Sequence, residues 1–126
     1  MSIEQTVIPA LAAATGVDVR SLHGEQLTDL LPAHVPLIVI ARVSASWDDW
    51  DTFCTPNLDL ANVGLQVDYY ASTLEAARRL ADIGRVALAQ AAGSAPEGEF
   101  DSWDSGIRVY RVSASYYLPD YAPAIV

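Results

Sequence analysis

The sequence predicts a single α+β domain: a mostly antiparallel β-sheet covered by one long helix, with a second helix at the N-terminus. Three observations carry this expectation. Val63, Leu65, Val67 and Tyr69 alternate with Gly64, Gln66, Asp68 and Tyr70, the period-2 pattern of a half-buried strand. From Leu74 the spacing turns helical, with Leu74, Ala77, Leu80, Ala81, Gly84, Ala87, Leu88 and Ala91 on one face. The coarse order helix–(strand)–strand–strand–helix–strand supplies hairpin-like connections rather than repeated parallel crossovers.

Taken in order, Ser2-Ile3-Glu4-Gln5 reads as a capping box. Ile3, Val7, Ala10, Leu11 and Ala14 then follow helical spacing, and Gly16 closes a helix over 3–14. Pro9 removes one helical N–H and predicts a kink. Residues 17–22 alternate as a short edge strand, and 23–36 read as a proline-bearing loop with one turn at 26–31. Leu37 to Ser44 is apolar on both faces and β-branched, which predicts a central strand.

An irregular stretch beginning with Trp47-Asp48-Asp49-Trp50-Asp51 and ending near Asn62 is long for a compact domain and predicts an arm or contact loop. After the strand over 63–70, Ser72 or Thr73 can cap the long helix; with Ser72 as the cap, Glu75 completes a capping box. Glu75 and Arg79 stand at i,i+4, and Glu75, Arg78, Arg79, Asp82 and Arg85 mark the solvent side. A helix of roughly 19 residues is about 28 Å long, and its Ala/Gly face lets its axis lie close to a sheet. Gly93 stops it, 93–106 reads as a second loop, and the last strand runs over 107–118 before Pro119 and Pro123. In that strand Ile107 and Val109 face one way, and Tyr110, Val112 and Ala114 the other.

The 126 residues are 52% hydrophobic, enough to bury one conventional core. Cys54 stands alone, which excludes a disulfide framework or a cysteine metal cluster and fits a reducing cytoplasm. No apolar run reaches the roughly 18–20 residues needed to span a bilayer, and the first residues lack a signal-peptide pattern. Seven basic residues, all arginine, against sixteen acids give a net charge of −9. That balance argues against a duplex-DNA-binding face and fits a soluble protein that repels nucleic acid or meets a basic partner.

Chemistry-bearing motifs are sparse. His23 and His34 are separated in a polar loop without carboxylates at ligand spacing, and Cys54 sits near acids that would raise its pKa. No phosphate-cradling, dinucleotide or nucleophile-elbow glycine motif occurs. A calcium loop begun at Asp101 places Trp103 and Val112 where ligands are required. We therefore expect no enzyme, no cofactor and no metal site; a metal-dependent enzyme would rest on the two Asp-rich segments alone. The distinctive surface features are Trp47–Asp51 and Phe100–Asp104. Tryptophans flanked by charge serve as protein–protein anchors or as caps on sheet ends, and Trp47, Asp48, Asp49, Trp50, Trp103 and Asp104 are the candidate interface residues.

The strand "VGLQVDYYAST" passing into "LEAARRLADIGRVAL", with "PLIVIARVSAS" before it and "YRVSASYYL" after an acidic loop, resembles the tail-completion and tail-terminator proteins of long-tailed bacteriophages. The likeness is most specific over Val63 to Val86. It implies a non-enzymatic virion component, made in the host bacterial cytoplasm, that caps the tail tube and joins it to the head connector. It further implies a homo-oligomeric ring, a hexamer in related terminators, with tail tube and head–tail connector proteins as partners and no membrane association. DNA would pass through the channel without specific binding. The alternative reading is a small acidic module, immunity-protein-like or antitoxin-like, that covers a basic partner.

Overall fold

Among the described residues, five strands join in one sheet whose centre is the strand that leads into the long helix. The computed structural model describes residues 3–21, 35–47, 60–93, 95–104 and 108–121. Its elements are α1 (Ile3–Thr15), β1 (Asp18–Ser21), β2 (Leu37–Trp47), β3 (Leu60–Ala71), α2 (Leu74–Ala92), β4 (Gly98–Asp104) and β5 (Val109–Tyr121). The strand order is β1-β2-β3-β5-β4, with β1 parallel to β2 and the other pairs antiparallel. This is the expected α+β class with a mostly antiparallel sheet.

Several expectations change. The run at 37–44 lies in an interior strand as expected, with Leu37, Ile38, Val39 and Ile40 paired to β1 on one side and to β3 on the other, while the middle strand of the sheet is β3. Leu37, Ile38, Val39 and Ile40 are all buried because successive side chains enter two different clusters. The reading of 93–106 as a loop is overturned: 98–104 is the edge strand β4, in continuous register with β5 from Gly98↔Ser115 to Asp104↔Val109. The loop expected from Trp47 to Asn62 is shortened at both ends, since β2 reaches Trp47 and β3 starts at Leu60. The alternation there is weak because Ala, Ser and Asn replace strong strand formers.

Pro119 does not end β5, which continues to Tyr121 with Pro119 opposite Asn62. Beyond Ser115 no β4 residue pairs with β5, so a proline there need not supply an N–H on that side. α1 likewise runs through Pro9, whose ring is exposed. The expected cap Ser2 lies outside the described residues. Gly16, at φ 68, ends α1 by donating to Ala12 O at 2.9 Å.

The sheet face that meets the helices is built from Ile38, Ile40, Leu65, Val67, Tyr69, Val112, Ala114 and Tyr116. Val7 and Leu11 of α1 join Ala77, Ala81, Ala87 and Leu88 of α2 in the same cluster. Among the described residues, two helices rather than one long helix therefore supply its apolar partners. On α2 the small residues are inward as expected, whereas Leu74 and Leu80 are half-buried and Ala91 is exposed. The second face holds Leu37, Val39, Tyr70 and Val109, all buried.

The caps of α2 place its first and last turns. Thr73, not Ser72, is the N-cap: its Oγ1 accepts from Ala76 N at 3.1 Å. Glu75 consequently cannot close the predicted box and instead meets Arg79 at 3.2 Å, the expected i,i+4 pair. Gly93, in the left-handed region at φ 67, closes the helix by donating to Ala89 O at 3.0 Å.

Candidate interaction surface at the β4 edge

The close approach of α2 to the sheet fixes the geometry of this end of the molecule. Gly84 lies against the ring of Tyr69: a methyl at Gly84 would stand 2.7 Å from both Cε1 and Cζ of that ring, and nearer still to the hydroxyl oxygen. With the helix held this close, Arg78, Asp82 and Arg85 form one stripe at i, i+4 and i+7 beside β4. Arg78 Nε donates to Asp101 at 2.9 Å, with a second donation from its Nη2. Arg85 bonds Asp82 and lies 3.5 Å from Glu99. These arginines, expected on an ordinary solvated face, are thus ties from α2 to the edge strand. Exposed pairs of this kind contribute little to stability, about 0–1 kcal/mol each; their effect is to orient β4's carboxylates.

Between α2 and β4 lies an open groove of about 410 Å³, whose lining includes Arg78, Ala81, Asp82, Glu99, Asp101 and Val112. Phe100 and Trp103 remain 52% and 49% exposed. They are three residues apart in a strand, so they project to opposite faces of the sheet. Trp103 leans on Tyr110 with ring centroids 4.5 Å apart at 45°. The Arg111 guanidinium stands 5.7 Å over the Phe100 ring, and its Nε donates to Ser102 Oγ at 3.1 Å. Both aromatic rings are therefore held by a neighbour while keeping half their surface in solvent.

Of the six candidate interface residues, Trp103 is placed on this surface. Asp104 ends β4 and Trp47 ends β2, with both side chains outside the described set. Asp48, Asp49 and Trp50 lie outside the described residues, as do Cys54, His23 and His34. Sequence reasoning missed the roles of Phe100, Arg78 and Arg85. The signal was weak because the two aromatics sit at odd spacing, which hides a strand's alternation.

Polar groups are buried on both faces of the sheet. On the second face, the Asp68 carboxylate accepts from Ser113 Oγ at 2.6 Å and from Gln66 Nε2 at 3.0 and 3.1 Å, which satisfies a carboxylate that is nearly out of water. Facing the helices, the hydroxyls of Tyr69 and Tyr116 are buried without a hydrogen-bond partner. Burial pushes the Tyr116 hydroxyl up to about 12, with Glu99 acting the same way and Arg85 opposing. Burial raises that of Tyr69 further, with Tyr116 and Glu99 adding to it.

Among the described residues no group of three or more His, Cys, Asp or Glu could hold a metal ion, and no helix is long and apolar enough to cross a membrane. No family model matches the chain, and no curated protein matches it.

Proposed function

We propose that this chain is a structural ring subunit of the phage tail-completion type, which caps the end of a tail tube and joins it to the head connector. A contact role is supported best by one observation: an edge strand carries two half-exposed aromatic rings, each braced by a neighbour, beside arginine-oriented carboxylates. Bracing lowers the entropy lost when such rings are buried by a partner. The type of assembly is supported by the likeness over Val63 to Val86, which coincides with the central strand and the long helix of the fold. An excess of carboxylates suits a channel through which DNA must pass without sticking.

The test is native mass across a concentration series, with negative-stain images, alone and with purified tail tubes. Rings with a central hole, or addition to tube ends, are expected; a protein that stays monomeric under both conditions overturns the proposal. Replacing Trp47, Trp50 and Trp103 together by Ala should impair assembly and leave the monomer folded, and unimpaired assembly would remove them from the interface. The acidic balance favours a second reading, a module that covers a basic partner. It would be supported by a strict monomer that forms a stoichiometric complex with one basic protein.

A further inference from the structure

We infer that the outer edge of β4 is a docking site for an extended, arginine- or lysine-bearing segment of another protein, added as a sixth strand. The inference rests on reading the β4 end as a contact surface, as the ring proposal does, and it names the chemistry of what binds there. Among the described residues β4 pairs only with β5, so the N–H and C=O groups of every second residue point outward without a strand partner. Natural edges are blunted by proline, bulges, short length and charged side chains, lysine above all, and the acids of β4 act in this way against every strand except a basic one. β4 has seven residues, no internal proline and an unbroken register with β5, and the chain contains no lysine. The opposite edge, β1, has only four residues, and its Asp18 and Arg20 pair with each other.

Charge decides the occupant. β4 carries Glu99, Asp101 and Asp104, follows directly on Glu97, and has no basic residue. A second copy of β4 would set these acids against one another across the new ladder, which is unfavourable. A basic strand would relieve them. Three carboxylates, Asp82, Glu99 and Asp101, share two guanidiniums, Arg78 and Arg85, which leaves the groove negative. That groove, about 410 Å³, gives room for an incoming basic side chain on the helix side of the strand. On the other side Phe100 offers its half-exposed ring to the next side chain along. Backbone pairing would supply affinity and the alternate pockets the selectivity, as in other strand additions.

The experiment uses the full chain and a short synthetic peptide of alternating arginine and valine, titrated by calorimetry and by amide chemical shifts at about 50 mM salt. Saturable binding with shifts centred on 98–104 is expected. It should weaken at least about tenfold when glutamine replaces the arginines, and by a similar factor when alternate peptide amides are N-methylated. The E99Q/D101N double variant should also bind several-fold more weakly. Absence of binding overturns the inference. So does equal affinity for the N-methylated peptide, which would mean attraction by charge alone, or self-association through β4 without peptide. Peptide binding by a protein that never adds to tails would sink the ring reading and leave this one standing; rings with no peptide binding would do the reverse.

Discussion

Replacing Gly84 by alanine tests the close packing that holds α2 over the sheet. In an unconstrained helix interior this change is worth about 1 kcal/mol in favour of alanine. Here the added methyl would stand 2.7 Å from two ring carbons of Tyr69, whose side chain is fully buried. The ring cannot swing into solvent, so either it or the helix must shift, at an overpacking cost of about 1–3 kcal/mol. Subtracting the propensity gain leaves a net loss of roughly 0–2 kcal/mol. A double-mutant cycle isolates the contact between Gly84 and the Tyr69 ring. In a Tyr69→Leu background the ring is gone, so Gly84→Ala should turn stabilising by about 1 kcal/mol, which gives a coupling of about 1–3 kcal/mol. Urea unfolding provides the assay, read as midpoint shifts at an unchanged slope. If Gly84→Ala raises the midpoint equally in both backgrounds, α2 does not press Gly84 against the Tyr69 ring, and Arg78 and Arg85 are not held within reach of β4.

Other outcomes follow from the same geometry. Thr73→Ala should cost about 1 kcal/mol by removing the N-cap, whereas Ser72→Ala should stay within about 0.5 kcal/mol; chemical denaturation of the two variants distinguishes the caps. Ser113→Ala should cost about 1–3 kcal/mol because it strips a donor from the buried Asp68 carboxylate, and a loss under 0.5 kcal/mol on a thermal or urea melt would argue against that bond. The tyrosine hydroxyls predict an alkaline decline. Their folded pKa values lie above the ordinary value of 10, so the unfolded chain loses these protons first. The stabilisation is fully present below pH 10 and is lost as pH rises through about 12 for Tyr116 and higher for Tyr69. The slope is roughly 1.4 kcal/mol per pH unit per tyrosine. Tyr69→Phe with Tyr116→Phe should flatten it, at little cost at neutral pH since neither hydroxyl has a partner. Arg78→Gln should change stability by less than about 0.5 kcal/mol, because its pair with Asp101 is exposed.

The sequence alone determined those features whose cause is local. Alternation over 63–70 marked β3, helical spacing from Leu74 marked α2, and Gly93 marked its end, because strand period, helix period and the left-handed cap are written in neighbouring residues. The inward set Ala77, Ala81, Gly84, Ala87 and Leu88 followed from the same spacing, and so did the Glu75–Arg79 pair. The choice between Ser72 and Thr73 was not legible, since both carry a capping hydroxyl and only the backbone path selects one. Tertiary structure decided the rest. β4 is a strand because β5 lies alongside to pair with it; its mixed aromatic, acidic and small residues have no period of their own, with Phe100 and Trp103 on opposite faces. Likewise, β3 is central because β2 and β5 both find their register on it. Arg78 and Arg85 read as solvated charges along the helix and became ties only when α2 was laid beside Asp101 and Glu99, which belong to a different element of the chain. Pairings between distant segments depend on which surfaces are brought within a few ångströms, and local spacing carries no record of that.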